Sequence, residues 1–304
     1  MDVLITGAAG RVGRAVRARL QAAGHSLRGL DRLAAAGVDH VGDLGDAALV
    51  ARALQGADAV VHCAALHAPQ VGQVDEGEFQ RVNVDATLAL WQAARAAGVR
   101  HVVFTSTTAL YGPGAAADGR AAWITEDTPP RPRSVYHRSK LAAEAALRDA
   151  AAGGGPAVTV LRMSRCFPEP APLMAVYRLH RGIDLRDVAD AHAQALADEP
   201  AQRWRCFVVS GATPFGPADA ERLWRDAPSL LRERVPALAQ AFMQRGWPLP
   251  GSIDRVYLPD AAMQAWGWRP RHGWEAVLQQ LDAGSSLVLP ATAASASAEP
   301  ALCS

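Results

Sequence analysis

The 304-residue chain predicts an α/β fold, a doubly wound parallel sheet followed by a smaller C-terminal lobe, and three observations carry that expectation. Short apolar runs alternate with longer helical ones through the first two-thirds of the chain. Several helical runs stop at a glycine. The first apolar run closes in three glycines spaced three apart, in MDVLITGAAGRVG.

Residues 3–6, 26–30, 59–62, 102–105 and 157–161 read as strands buried on both faces. Between them, residues 11–23, 47–55, 84–97 and 135–151 read as helices that stop at Gly24, Gly56, Gly98 and Gly153. Strand–helix–strand repetition calls for a parallel sheet with helices on both faces, and right-handed crossovers make it doubly wound. Beyond Arg165 the texture changes. Prolines cluster at Pro168, Pro170 and Pro172, and six of the eight tryptophans lie past residue 200. This predicts a lobe of short helices over residues 166–288, interleaved with the last strands of the sheet, including one near residues 206–209. The tryptophans of AWGWRPRHGW are expected to pack it. Residues 289–304 are small, Pro- and Ser-rich, and read as a flexible tail.

Half the residues are hydrophobic and a fifth charged, as in ordinary globular domains. A net charge of +1 sets up no field that would select nucleic acid or an anionic membrane. No apolar run reaches the roughly 18 residues a membrane span needs. The N-terminus lacks signal-peptide character, and Cys63, Cys166, Cys206 and Cys303 lack the paired spacing of a zinc site. We therefore expect a cytoplasmic protein with reduced thiols and no metal.

The glycines have a physical reading. On a strand–turn–helix unit, Gly7 permits the tight turn, Gly10 lets the backbone approach a phosphate, and Gly13 lets the helix pack on the strand. The first helical amides, at Arg11 and Val12, then face an anion with the helix dipole assisting. Residues 1–165 thus read as a Rossmann dinucleotide-binding domain. LRGLDR places Asp31 about twenty residues past the glycines, where a carboxylate accepts hydrogen bonds from an adenosine ribose. That carboxylate repels a 2′-phosphate and favours NAD over NADP, whereas the Arg32 guanidinium beside it could accommodate the phosphate.

SVYHRSK sets Tyr136 and Lys140 four apart on one helix face. An ammonium beside a phenol favours phenolate, and such a pair can exchange a proton with a substrate hydroxyl while hydride moves to or from nicotinamide. HVVFTSTTALYG carries a strand into the hydroxyls Ser106, Thr107 and Thr108 at its carboxyl end, where open α/β sheets bind ligands. A hydroxyl there can hold the reacting oxygen near the tyrosine. His62 and His67, close by, read as hydrogen-bonded structural residues.

TGAAGRVG, Asp31, GDLGD around Asp43, HCAA at 62–65, Asn83, STTALYG and YHRSK together resemble the extended short-chain dehydrogenases/reductases, in their NAD-dependent sugar epimerase/dehydratase branch. The resemblance covers residues 1–165 and resumes in IDLRDVADAHAQAL and WGWRPRHGWEAVL. It implies Tyr136 as acid/base, Lys140 as its partner on the nicotinamide ribose, and Thr107 as the active-site hydroxyl with Ser106 beside it. It further implies Asp43 and Leu44 along the adenine, Ala64 and Ala65 near the pyrophosphate and ribose, and Asn83 as a support of the cofactor site. The helices at 84–97 and 135–151 correspond to those that commonly form a homodimer interface in this family.

The chain also departs from the family. The sugar-nucleotide 4,6-dehydratases carry an Asp-Glu pair after the active-site threonine; Thr108 and Ala109 stand there, which argues against dehydration. 4-Epimerisation or net oxidation of a sugar or nucleotide sugar remains, with Thr108 and Arg165 as substrate contacts. Arg165 takes the place of a family asparagine, and the connection after it is short. RCFPEP is similar to a stretch of uronate dehydrogenases, compact members that oxidise free sugar acids, so Arg165, Arg178 or Arg181 could meet a carboxylate or phosphate. STTALYG is instead closer to the 4-epimerases. A third alternative is a dinucleotide sensor that keeps the fold without turnover.

Overall fold

A computed structural model describes residues 1–112, 119–198 and 201–291. Most of the tail expected at 289–304, including Cys303, lies outside the described residues. The chain divides into two compact units. The first comprises Met1–Leu110, Pro132–Met163 and Val188–Phe207; the second comprises Tyr111–Arg131, Ser164–Asp187 and Val208–Ser304.

The strands are β1 (Asp2–Thr6), β2 (Ser26–Asp31), β3 (His40–Val41), β4 (Ala59–His62), β5 (His101–Thr107), β6 (Ala122–Ile124), β7 (Ala157–Met163), β8 (Trp204–Val209) and β9 (Arg255–Tyr257). Seven of them form one sheet in the order β3-β2-β1-β4-β5-β7-β8. The reversal of strand order between β1 and β4 is the doubly wound pattern. Every pairing from β3 through to β7 is parallel, with Ile5 opposite Gly29 and Val61, and Thr107 opposite Met163.

Helices α1 (Arg11–Ala22), α2 (Ala47–Leu54), α3 (Glu76–Gln80), α4 (Ala86–Ala96) and α5 (Val135–Ala152) return the chain between these strands. Leu4, Val60, Val102, Phe104 and Val160 of the sheet bury against Leu90 and Trp91 of α4 and Leu147 of α5. Each such side chain contributes roughly 1.5–3 kcal/mol on leaving water. Two expectations need correction. The β2 strand is buried only in its second half: Ser26 is exposed and Leu27 and Arg28 are partly so, because β2 has only the two-residue β3 outside it. The helix expected at 84–97 begins earlier, at Glu76, and passes through a π-helical turn at Arg81–Asp85 before becoming α4.

The second unit holds α6 (Ala171–Tyr177), the start of α7 (Leu185–Ala197), α8 (Ala220–Arg225), α9 (Ala227–Arg234), α10 (Pro236–Gln244), α11 (Asp260–Trp266) and α12 (Trp274–Asp282). The parallel pair β6–β9 lies among them. Its core gathers Met174, Leu179, Leu223, Leu231, Phe242, Val256 and Val277, with Trp123, Trp247 and Trp274 packed against it. Within this unit Leu289 is held by Pro170 and its neighbours: its amide donates to Glu169 and its carbonyl accepts from Ala171.

Candidate functional site

Residues of the glycine turn divide the work between them. Gly7 sits at φ +68, a conformation that L side chains rarely adopt, and a Cβ there would lie 2.7 Å from the Ala64 amide. At Gly13 a Cβ would lie 2.1 Å from the Gly7 carbonyl oxygen, so only glycine lets α1 close onto the turn. Gly10 differs: the Gly7 carbonyl, at 3.1 Å, is all that a Cβ would meet within 4 Å. Its backbone therefore borders open space at the start of α1, whose N-cap makes no side-chain hydrogen bond and whose first turn carries no acid. Backbone that can be approached, amides without a side-chain cap and a favourable dipole suit a phosphate.

Asp31 closes β2 and braces the same turn. One carboxylate oxygen accepts from the Ala9 amide at 2.9 Å and the other from the Leu33 amide at 3.0 Å. Asp43 is held by a residue the sequence reading did not single out. Arg81, in the π-helical turn, donates to both Asp43 oxygens at 3.0 Å and also reaches Glu78. That fork holds the Asp43 carboxyl down at about 2. Leu44 is buried in the core.

Asn83 lies in the π-helical turn and is fully buried. Its amide pairs with both polar groups of Leu66 in the loop that carries Ala64 and Ala65, and also donates to Ser139 of α5 at 2.9 Å. His62 is buried between the hydroxyls of Thr6 and Thr87, at 2.6 and 2.8 Å, and burial drives its ring down to about 3. It is thus a neutral structural residue, as its position suggested.

Tyr136 and Lys140 stand on the first turns of α5, which Ser134 caps by accepting from the His137 amide. Tyr136 is half-buried, whereas Lys140 is 2% exposed. The Lys140 ammonium donates to the Thr105 carbonyl at 2.7 Å and lies 3.9 Å from the centroid of the Phe104 ring. Burial pushes it down to about 7, with Glu144 and Cys63 pulling in the opposite direction. A buried lysine poised near neutrality can pass between charged and neutral forms during a proton transfer.

The hydroxyls expected at the end of β5 do not act as one cluster. Thr107 is half-buried, and its oxygen accepts from the Ala109 amide at 3.1 Å. Ser106, one step along the pleat, points to the opposite face and donates to Glu144 at 2.5 Å. Glu144 is in turn paired with Arg162 at 2.7 Å, both side chains buried. The Thr108 hydroxyl is buried, 3.5 Å from the Met163 carbonyl. Ser106 and Thr108 therefore direct their side chains into the protein.

Arg165 belongs to the second unit. It forks onto Glu169 at 2.5–3.2 Å and lies against the Phe167 and Tyr177 rings. Arg178 is buried against the Ile183 carbonyl and Asp184, while Arg181 lies over Tyr177 and reaches Asp254 only at 3.7 Å. Among the described residues no group of His, Cys, Asp and Glu could hold a metal, and no helix is long and apolar enough to cross a membrane.

The sheet order, the glycine turn and the acid that closes β2 define a protein of the Rossmann dinucleotide-binding class. More narrowly, residues 3–171 match the NAD dependent epimerase/dehydratase family, and the chain belongs to it. It is 34% identical over 213 residues to the UDP-glucose 4-epimerase of Streptomyces lividans, covering 66% of this chain and 59% of that protein. In sequence alignment the chain spans about half the length of three further UDP-glucose 4-epimerases, those of Corynebacterium glutamicum, Azospirillum brasilense and Mycolicibacterium smegmatis. It is also 27% identical over 255 residues to the uronate dehydrogenase of Pseudomonas syringae pv. tomato, covering 78% of this chain and 90% of that protein. Among solved structures, the UDP-glucose 4-epimerase of Thermus thermophilus in complex with NAD superposes with a TM-score of 0.67 at 27% identity. The match covers 93% of this chain and 98% of that one.

Proposed function

We propose that this chain is an NAD-dependent enzyme that moves hydride at a secondary alcohol of a sugar or nucleotide sugar, in the manner of a 4-epimerase. The carrying observation is Lys140: a buried ammonium on the carbonyl of Thr105, one helical turn from Tyr136 on the same face of α5. In this reading Gly7, Gly10, Arg11, Val12 and Gly13 hold the pyrophosphate. Asp31, with Arg32 beside it, meets the adenosine ribose, and Asp43 and Leu44 border the adenine. Ala64, Ala65 and Ser106 line the cofactor through their backbone, and Asn83 supports the loop that carries the two alanines. The open face of Gly10 and the α1 N-terminus without a side-chain cap fit a dinucleotide phosphate.

NAD held by these residues would supply the hydride acceptor and, for epimerisation, the source of the returning hydride. This chain's own residues handle the proton. Tyr136 takes the hydroxyl proton from the substrate alcohol at its phenolic oxygen. Lys140 stabilises the phenolate by its charge, and Thr107 orients the reacting oxygen by a hydrogen bond. Thr108 borders the substrate through its backbone, and two copies of the chain pair through α4 and α5. A light-scattering mass of one chain at micromolar concentration would remove the dimer.

A second reading, net oxidation of a free sugar acid, is favoured by the extent of the sequence alignment. The aligned stretch covers 90% of the uronate dehydrogenase against 50% and 59% of two of the epimerases, although the Thermus thermophilus epimerase superposes over 98% of its chain. The two separate by spectrum. An epimerase leaves the near-ultraviolet band of reduced nicotinamide flat at steady state, while a dehydrogenase accumulates it.

The test of both is Tyr136→Phe. Turnover of a UDP-sugar or a uronate should fall by a factor on the order of 100 to 10,000 with NAD affinity kept within a few-fold. Turnover unchanged in that variant would contradict the assignment of Tyr136, whereas a wild-type protein that binds NAD and turns over neither substrate would leave the non-catalytic sensor.

A further inference from the structure

Thr105 serves two partners at once. Its carbonyl takes the Lys140 ammonium at 2.7 Å. Its hydroxyl oxygen lies 2.8 Å from His192 Nε2 and 3.3 Å from Cys63 Sγ. His192 is fully buried on α7, and its Nδ1 lies 2.8 Å from the Val188 carbonyl, one turn back on the same helix.

Donor and acceptor counting then settles the protons. A carbonyl only accepts, so Nδ1 carries the ring hydrogen and Nε2 is bare. Burial keeps the ring neutral, its titration pushed down to about 4. A bare Nε2 needs a donor, and the Thr105 hydroxyl is the one within reach. That hydroxyl has a single hydrogen. Cys63, whose thiol burial holds protonated up to about 11, then presents its own S–H to the Thr105 oxygen. The chain runs Cys63, Thr105, His192, Val188 carbonyl, with each proton assigned.

We propose that Thr105 and His192 are positioning residues for the acid/base pair: the His192 ring pins the Thr105 side chain, and so aims the Thr105 carbonyl at the Lys140 ammonium. This inference rests on the reading of Tyr136 and Lys140 given above and extends it to α7. The charged and titratable groups that face Lys140 include Tyr136 and Glu144 on its own helix, and His62, Cys63 and His67 on β4 and the loop after it. Glu144 is already committed to Arg162 and Ser106. The carbonyl of Thr105 is thus the direct acceptor for the ammonium on the β5 side, and losing its aim removes a contact made to the charged form.

Thr105→Val keeps the shape and the carbonyl but removes the hydroxyl. The active form needs charged Lys140, so the alkaline limb of the kcat–pH profile should move to lower pH by roughly half a unit or more, with kcat down about tenfold. Thr105→Ser should restore the limb. Should Thr105→Val fail to fold, His192 tests the same claim. His192→Gln retains an acceptor for the hydroxyl and should hold the limb in place, while His192→Leu should displace it. A limb that stays put in both Thr105→Val and His192→Leu, while Tyr136→Phe is inactive, overturns this inference and leaves the acid/base assignment standing. Equal losses in Thr105→Ser and Thr105→Val also overturn it, since the hydroxyl would then be irrelevant.

Discussion

Asn83 holds Leu66 at both polar groups of its backbone: its oxygen accepts from the Leu66 amide at 2.7 Å, and its nitrogen donates to the Leu66 carbonyl at 2.8 Å. The same nitrogen donates to Ser139, whose hydroxyl donates to the Tyr136 carbonyl at 2.9 Å. One buried side-chain amide thereby ties the loop after β4 to the first turn of α5. Its place in a π-helical turn fits the tendency of such turns to occur where function needs a side chain out of α-helical register.

Replacing Asn83 by alanine should therefore affect two quantities together. Leaving a buried amide and carbonyl without partners costs about 1–3 kcal/mol of stability. The loosened loop should also weaken NAD binding by about tenfold, or about 1.4 kcal/mol. Melting curves and calorimetric titration on the same preparation read both. A drop in melting temperature with NAD affinity intact would confine Asn83 to a role in folding.

Lys140 is expected to be held at the expense of stability. Its titration is lowered from 10.5 to about 7, chiefly by burial. The folded protein therefore binds the ammonium proton more weakly than the unfolded chain does. The penalty is complete below pH 7, shrinks as pH rises toward the unfolded value, and vanishes above it. Lys140→Met should stabilise the protein at pH 6 by an amount on the order of a few kcal/mol, read as a higher melting temperature, while abolishing turnover. A variant that melts lower at pH 6 would mean that the Thr105 carbonyl and the Phe104 ring more than offset the burial.

Four buried histidines give the opposite end of the pH scale its slope. His62 and His180 titrate at about 3, and His101 and His192 at about 4, in the folded protein, against 6.5 for a free ring. Above pH 6.5 both states hold them neutral and nothing is lost. Below it the unfolded chain takes up protons that the folded protein refuses, so stability should fall as pH drops toward 4. Each ring accounts for about 1.4 kcal/mol per pH unit in that window. Unfolding midpoints in urea from pH 7 to pH 4.5 check this, and His192→Gln should flatten the slope. A midpoint independent of pH would show that none of these rings is held neutral.

How much of this was legible in the sequence follows from the range of each interaction. The glycine turn, Asp31 and the Tyr136–Lys140 spacing are local patterns, set by period and turn chemistry, and they were read directly. STT reads as one cluster of three hydroxyls, although the two-residue period of a strand already separates Ser106 from Thr105 and Thr107. That signal was available. The fork of Arg81 on Asp43, the pair of Glu144 with Arg162 and the contact of His192 with Thr105 join residues far apart in sequence, and no local pattern encodes them. The helical stretch holding His192 was marked by family resemblance, yet its chemistry needed the tertiary fold. The β6–β9 pair likewise joins residues 122–124 to 255–257.

The most direct test of the central claim is a crystal structure with NAD bound. The nicotinamide ribose is expected within hydrogen-bond reach of the Tyr136 hydroxyl and the Lys140 ammonium, with the pyrophosphate on the amides that follow Gly10. A complex in which the Tyr136 hydroxyl faces bulk water, remote from the nicotinamide, would contradict it.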